Sequence, residues 1–197
     1  MRSFDRRLDH LLAQAARVFA RKGYHSTTMR DLAAASGMSL AGMYYYVRGK
    51  EELLQLIQER CFTLVLEGAR AAVAAAGDPL EKLQAFVRHH VTFFARHMAE
   101  MKVLSHEAGV LAGEGRRRVE AVKRRYVDLL ESLLKEVAPE TPAPERSAAA
   151  YVLFGMMNWI YTWYDPAGPL DPPRLADLIA RIFLGGLVEA RTTVQGG

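Results

Sequence analysis

The sequence predicts an all-α protein of about nine helices. Apolar residues recur at the i, i+3, i+4, i+7 spacing of an amphipathic helix in one segment after another. No segment alternates apolar and polar residues for long enough to predict a strand. Half of the 197 residues are apolar and 24% are charged, which is typical of a globular chain. No apolar run reaches the roughly 18 residues of a membrane helix, and no secretory leader is recognisable, so we expect no membrane contact and a cytoplasmic location.

The N-terminal segment predicts one long and two short helices. The first spans about residues 4–22, where the leucines keep helical phase. The second spans 28–35, with Thr28 as its cap and Asp31 in the place of the usual capping-box Glu or Gln. A glycine-containing turn separates it from a third helix over 39–47. Two short helices joined in this way are typical of a helix-turn-helix.

The rest of the chain predicts six further helices, separated by clusters of glycine and proline. Their approximate ranges are 50–76, 79–97, 101–111, 116–137, 147–164 and 174–191.

Positive charge is concentrated in the first quarter of the chain. Residues 1–50 hold nine Lys or Arg and three Asp, a net +6, whereas the whole chain carries only +4, so the remainder carries −2. Such an asymmetry indicates an anionic partner for the N-terminal segment, such as nucleic acid. A solvated basic surface would account for the charge alone equally well.

The third predicted helix has features suited to a DNA major groove. Residues 39–46 include no acid, and the small Ala41 and Gly42 allow close approach of the backbone to base edges. Three consecutive tyrosines, 44–46, cannot all face one core, so at least one hydroxyl should be exposed to phosphate. The helix start at Thr28 offers an anion site, and Lys50 is placed to meet a phosphate.

Residues 24–54 read YHSTTMRDLAAASGMSLAGMYYYVRGKEELL. Together with Phe19 and Gly23, this pattern closely resembles the DNA-binding region of the TetR family of transcriptional regulators, over about residues 8–55. The resemblance implies a homodimer that binds a palindromic operator, usually as a repressor released by a small ligand. It also implies a division into a helix-turn-helix domain, 1–49, and a ligand-binding and dimerisation domain, 50–197.

The resemblance further implies which residues meet DNA. Those at or near the operator would be Thr28, Arg30, Ser39, Leu40, Ala41, Gly42, Tyr44, Tyr45 and Lys50. Base reading would fall to Arg30 and the 39–42 stretch, which lacks the Arg, Asn or Gln that give bidentate base contacts. Readout would then depend on Arg30, Tyr45, apolar contacts with thymine methyl groups and DNA shape.

The C-terminal part is rich in flexible and aromatic side chains. As a set these suit a pocket for an elongated apolar ligand, although each residue taken singly fits an ordinary core position. The candidate ligand-binding residues are Phe62, Phe86, His90, Phe94, Met98, Met101, Tyr126, Met157 and Trp163.

Two C-terminal helices are expected to form the dimer interface. Residues 151–164 are apolar nearly all round the helix, which requires cover on every side. The last helix carries Gly185 and Gly186, which permit close approach of a partner. We therefore expect a homodimer through about 147–164 and 174–191.

The stretch 158–170, NWIYTWYDPAGPL, resembles the C-terminal segment of TetR-family regulators that respond to acyl-CoA thioesters and control fatty-acid, phenylacetate or sterol-ring degradation. The resemblance implies an acyl-CoA effector. Its acyl chain would lie among Phe86, His90, Phe94, Met98 and Met157. Candidates for the CoA part are Arg88, Arg96, Arg124, Arg125 and Trp163.

Other chemistry is not indicated. No two of the six histidines have the i, i+4 spacing of a helical metal site, and the single Cys61 excludes a cysteine zinc finger. There is no glycine-rich phosphate loop and no nucleophile elbow. We therefore expect neither an enzyme nor a resident cofactor. Two alternatives stay open: a repressor sensing another hydrophobic molecule such as a drug, and a helical small-molecule-binding protein that does not read DNA.

Overall fold

The computed structural model describes residues 3–107 and 109–194, with side-chain surroundings for 6–107 and 109–186. Within these residues there are nine α-helices, one short 3-10 helix and no strand, which confirms the all-α prediction. The α-helices are α1 (Ser3–Lys22), α2 (Met29–Ser36), α3 (Leu40–Tyr44), α4 (Lys50–Ala74), α5 (Pro79–Arg96), α6 (Met98–His106), α7 (Gly113–Val137), α8 (Ala143–Asn158) and α9 (Pro172–Val194). No described helix has the length and hydropathy needed to cross a membrane.

The chain forms two compact units. The first unit comprises Met1–Leu64 and His97–Arg124, and the second comprises Val65–Arg96 and Arg125–Gly197. The long helices α4 and α7 each contribute residues to both units. These units do not follow the expected boundary at residue 49, because α6 and the start of α7 join the N-terminal helices. The functional division at that boundary stays a prediction.

In the first unit, α1 packs against both α2 and α6. Its apolar face contributes Leu11, Ala15 and Phe19 to a core that also holds Leu32 and Met43. The helix ends where Gly23 turns the chain with φ +81°, a conformation that favours glycine. This packing holds the helix-turn-helix on the same core as α1 and α6.

In the second unit, α5 packs along α9, and α8 contacts both helices. Phe86 of α5 is fully buried and its ring lies 6.2 Å from that of the buried Phe154 of α8, and Met157 of α8 is fully buried as well. The core is therefore built from the helices in which we expected the ligand and the dimer contact.

Several helices have other bounds than the pattern predicts. α6 spans Met98–His106 rather than 101–111, and α3 ends at Tyr44 rather than 47. The segment predicted as one helix to residue 164 changes to a 3-10 helix over Trp159–Thr162. α6 ends early because Glu107 is held from outside the helix: its carbonyl accepts from Gln58 at 3.3 Å and its carboxylate accepts from the Tyr24 amide at 3.2 Å.

Candidate nucleic-acid interface and ligand core

Helix α2 begins with the capping box that the sequence predicts. The Thr28 side chain accepts from the Asp31 amide at 3.2 Å, and the Asp31 carboxylate accepts from the Thr28 amide at 2.8 Å. At the other end, Gly37 adopts φ +67° and turns the chain toward α3. Aspartate therefore replaces the usual glutamate, and α2 has both of its ends fixed locally.

The carboxylate of Asp31 also pairs with Lys22 of α1, at 2.6 Å from its Nζ. This ammonium and the Thr28 hydrogen bonds hold the pKa of Asp31 far below its ordinary value. The anion at the start of α2 is thus one of the chain's own side chains. Further N–H groups of the first helical turn, at Met29 and Arg30, are not used within the helix, and a DNA phosphate at Thr28 stays a prediction.

Helix α3 presents the face expected to meet DNA. Met43 and Val47 are buried and anchor the helix to the core of the first unit. The opposite side is open to solvent, with Tyr44 49% and Tyr45 75% exposed. The members of this exposed surface from the predicted DNA-contacting set are Ser39, Leu40, Ala41, Tyr44 and Tyr45. Tyr46 is half-buried against the core, so the expectation that the three tyrosines do not share one core is confirmed.

Gly42 has a function inside the protein that spacing did not reveal. The Ser39 hydroxyl caps α3 by accepting from the Gly42 amide at 3.0 Å. A Cβ added at Gly42 would lie 3.0 Å from that same hydroxyl oxygen. Glycine at this position therefore leaves room for the helix cap, in addition to any approach to DNA.

Lys50 binds the protein itself. Its ammonium donates to the carbonyls of Tyr24, His25 and Thr27 at 2.8, 3.3 and 3.0 Å, and it lies 4.4 Å from the centre of the Tyr24 ring. These contacts tie the start of α4 to the segment between α1 and α2. All three donors of the ammonium have acceptors, so a phosphate contact, which stays a prediction, would require an exchange of partners.

A basic cleft next to α3 holds residues that the sequence reasoning missed. Its volume is about 700 Å³, and Arg6, Arg7 and His10 of α1 line it opposite Ser39 and Gly42. The charge count included both arginines, but helical periodicity alone indicates only that they are solvated. Their position beside α3 depends on how α1 packs against the helix-turn-helix.

The second unit contains an aromatic cluster, which we define as Phe86, His90, Phe94, Tyr126 and Phe154. The Phe86 and Tyr126 rings stack with centroids 5.0 Å apart, and the His90 and Phe94 rings lie 4.7 Å apart. Four of these five residues belong to the predicted ligand-binding set, and Met157 of that set is fully buried in the same unit. The pattern missed Phe154.

A hydrogen-bond chain runs from the buried Tyr126 through the buried His90 to Asn158, which is exposed. His90 Nδ1 lies 2.9 Å from the Tyr126 hydroxyl, and His90 Nε2 lies 3.1 Å from Oδ1 of Asn158. Burial lowers the pKa of His90 to about 3, so its imidazole is neutral at physiological pH. Nε2 therefore donates to the Asn158 carbonyl oxygen, and Nδ1 accepts from the tyrosine.

The other predicted ligand-binding residues lie elsewhere. Phe62, Met98 and Met101 belong to the first unit, where Met101 is buried and the other two are half-buried. Trp163 is in the second unit, but its indole is 59% exposed and stands outside the aromatic cluster, beside Tyr164. Contact of these four residues with a ligand stays a prediction.

Among the candidates for the CoA part, Arg88 has an acidic partner, as do two further arginines at the start of α7. Arg88 pairs with Asp177 at 2.6 Å, Arg116 pairs with Glu120 at 2.6 Å, and Arg118 pairs with Glu114. Arg96, Arg124 and Arg125 are exposed. An anion at Arg88 would share the guanidinium with the Asp177 carboxylate.

Exposed apolar side chains form a surface on α8 and α9, which we call the α8–α9 surface. On α8 and the 3-10 helix it carries Tyr151, Val152, Trp159 and Trp163. On α9 it carries Leu178 and Ile182, followed by the exposed Gly185 and Gly186. Large exposed apolar groups at helical spacing are the mark of an interaction surface.

No group of three His, Cys, Asp or Glu that could hold a metal ion is found among the described residues. Cys61 is buried, and burial raises the pKa of its thiol, which makes it a poor nucleophile.

Comparison with protein families gives two matches. A family described as "Bacterial regulatory proteins, tetR family" matches residues 11–57. One described as "Tetracyclin repressor-like, C-terminal domain" matches residues 76–187, more than half of the chain. The two matches follow one another along the sequence and include most of both compact units.

Comparison with individual proteins gives similar regulators. The crystal structure of AibR in complex with isovaleryl coenzyme A and operator DNA is 32% identical, covers 89% of this chain and 97% of that chain, and has a TM-score of 0.79. The HTH-type transcriptional repressor KstR2 of Mycobacterium tuberculosis is 26% identical over 93% of this chain and 94% of its own. The HTH-type transcriptional activator FasR of Mycolicibacterium smegmatis is 22% identical over 96% and 86% respectively.

Proposed function

The chain belongs to the TetR family of bacterial transcriptional regulators, and from this premise we propose that it is a homodimeric repressor that binds a palindromic operator and leaves it when a CoA thioester binds. The observation that carries the proposal is the exposed, acid-free surface of α3 beside the basic cleft. The similarity to AibR, which was crystallised with isovaleryl coenzyme A and operator DNA, supports both the DNA and the effector.

The DNA-binding part of the proposal rests on the first unit. Helix α3 enters the major groove, where Tyr44 and Tyr45 offer exposed rings and hydroxyl groups and Ala41 allows close approach. Arg30, exposed on α2, reads bases from the neighbouring helix. Arg6, Arg7 and His10 in the basic cleft bind phosphates that flank the groove and so fix the position of α3.

The dimerisation part of the proposal rests on the α8–α9 surface. Tyr151, Trp159 and Ile182 are each more than half exposed. Removing such apolar side chains from water is favourable, so a partner surface that covers them is stabilised. A second copy of the chain offers the same surface and covers it by two-fold symmetry. The two reading heads then face successive turns of a palindromic operator, in the cytoplasm, where a bacterial chromosome lies.

The effector-binding part of the proposal rests on the aromatic cluster. An acyl chain would lie among Phe86, Phe94 and Met157, whose side chains are buried and apolar. Because the cluster is filled by its own rings, ligand entry must move them. This displacement supplies the differential binding by which a ligand shifts a conformational equilibrium.

Native mass spectrometry with DNA selection tests the proposal. Operators are first selected from random duplexes by the purified protein, and the spectrum of the protein–operator complex is then recorded with and without a mixture of CoA thioesters. We expect a dimer on DNA, which the thioesters convert to a free dimer that retains one or two thioesters per pair.

Three other outcomes would contradict separate parts of the proposal. If the dimer binds DNA and no thioester releases it, the DNA-binding part of the proposal is kept, but the effector must be another hydrophobic molecule. A thioester-binding protein that selects no duplex would point to a helical ligand-binding protein without DNA reading. Stronger DNA binding with thioester would exclude release as the mechanism.

A further inference from the structure

A second basic recess lies between α1 and α6, at the opposite end of α1 from Arg6 and Arg7. Its volume is about 290 Å³, and its cations are Arg21 and Lys22 of α1 and Lys102 of α6, with the His106 imidazole beside them. It begins at Phe19, some 13 residues beyond Arg6, which is a distance of about 20 Å along a helix. It is therefore separate from the cleft assigned to DNA.

We propose that this recess binds a free nucleotide through its phosphate, independently of the effector that the aromatic cluster would hold. The size is near the lower limit of small-molecule pockets, which suits one nucleotide rather than a whole CoA thioester.

Charge and shape in the recess favour a nucleotide. Three cations face one lining acid, Glu107, and one of them, Lys22, also pairs with Asp31, so an excess of one positive charge is left. The Glu107 carboxylate is already held by the Tyr24 amide at 3.2 Å. The floor is apolar, formed by the buried Phe19 and Val103. A base and ribose gain from an apolar floor while phosphate oxygens meet the cations at the rim, whereas a DNA backbone needs only exposed cations.

The recess has a direct route to the helix-turn-helix. Lys22 lines it, and the same ammonium pairs with Asp31 in the capping box of α2. A phosphate that draws Lys22 into the recess takes that ammonium from Asp31. Nucleotide binding would then act on the start of α2.

Isothermal titration with adenosine 3′,5′-bisphosphate tests the site, because this probe carries the nucleotide and both phosphates but no acyl group. We expect binding at a dissociation constant of about 1 mM or tighter, and at least about tenfold weaker binding of adenosine. Arg21→Gln and Lys102→Gln should each weaken the bisphosphate about tenfold. Arg117→Gln, a change at an exposed cation on α7 of the same unit, is the matched control and should have no effect.

The results that would overturn the site are distinct from those that would overturn the regulator. No bisphosphate binding, or equal weakening by Arg117→Gln, rejects the recess. Loss of operator affinity in Arg21→Gln and Lys102→Gln with unchanged bisphosphate binding assigns the recess to DNA and also rejects it. If the bisphosphate binds as expected but no CoA thioester releases the operator, the site stands and the proposed effector fails. Thermal melting of each variant verifies that Arg21 and Lys102, both exposed, are not needed for folding.

Discussion

At the scale of single residues, Gly42 meets two demands at once. Its missing Cβ leaves space for the Ser39 hydroxyl that caps α3, and its small size suits the approach of a base edge to α3. Substitution therefore disturbs folding and DNA binding together, and the two effects must be separated by a second substitution.

We expect Gly42→Ala to weaken operator binding at least about tenfold, because each lost close contact with DNA costs about 1–3 kcal/mol. Ser39→Ala removes the oxygen that the new Cβ meets, so the double variant tests the DNA contact alone. The measurement is fluorescence anisotropy on a selected operator, with Ser39→Ala as the reference. Recovery of the Ser39→Ala affinity in the double variant would show that only the helix cap was affected.

Lys50 stabilises the protein through the carbonyls of Tyr24, His25 and Thr27. We expect Lys50→Met to lower the free energy of unfolding by about 1–3 kcal/mol, since three carbonyl acceptors lose a charged donor. Urea unfolding measures this loss. Unchanged stability would contradict the structural role. The salt dependence of operator binding then tests the phosphate contact, because loss of one phosphate contact per protomer flattens the slope.

His90 makes stability depend on pH. Its pKa is about 3 in the folded protein and 6.5 for an unburied histidine, as in the unfolded chain, since burial disfavours the charged ring. Between these values the unfolded state binds the extra proton, so the free energy of unfolding falls as the pH decreases through this window. At pH 5 the loss is about 2 kcal/mol, from 1.5 pH units at 1.36 kcal/mol each.

Urea unfolding at pH 7 and pH 5 measures this loss, and His90→Gln should show a smaller one. His89 must be controlled because burial also lowers its pKa, so His89→Gln serves as the parallel variant. An equal pH dependence in the wild type and in His90→Gln would contradict the assignment.

At the scale of elements, the segment from α8 to α9 carries most of the large exposed apolar side chains of the second unit. Trp159 of the 3-10 helix is 62% exposed, and Ile182 of α9 is 57% exposed. Burial of such groups against a second copy contributes about 25 cal/mol for each Å² of apolar surface removed from water.

We expect the Trp159→Glu, Ile182→Glu double variant to be monomeric, because dimerisation would bury carboxylates without partners. Native mass spectrometry measures the oligomeric state. Leu80→Glu is the matched control, since Leu80 is 49% exposed but lies at the start of α5, outside the α8–α9 surface. A dimer that persists in the double variant would place the interface elsewhere.

At the scale of the whole molecule, the uneven charge along the chain gives operator binding a strong salt dependence. Six to ten phosphate contacts would reduce operator affinity by about 10³–10⁵ between 50 and 200 mM salt. We expect Arg6→Ala with Arg7→Ala to reduce the slope of log K against log salt by about 3 to 4 per dimer, since each lost phosphate contact contributes about 0.9. Arg117→Ala should leave the slope unchanged, and the same slope in the Arg6, Arg7 variant would remove the basic cleft from the DNA contacts.

Short-range patterns in the chain were enough to identify the helical fold and the family. The resemblance carried by residues 24–54 is confirmed by the family match over 11–57. The capping box of Thr28 and Asp31 also followed from spacing, as did the exposure of at least one of the three tyrosines 44–46; the structure exposes Tyr44 and Tyr45. These features depend on residues within one or two helical turns, so the order of residues contains the information.

Contacts between residues distant in the sequence decided the remaining features. Lys50 turns toward carbonyls some 25 residues away, Glu107 ends α6 through Tyr24 and Gln58, and His90 joins Tyr126 and Asn158. The basic cleft and the recess at Lys102 arise from α1 packing against other helices. Periodicity indicates which face of a helix is buried, but not which helix covers it. The packing of one helix on another therefore decides where the charged side chains of the basic cleft and the recess lie.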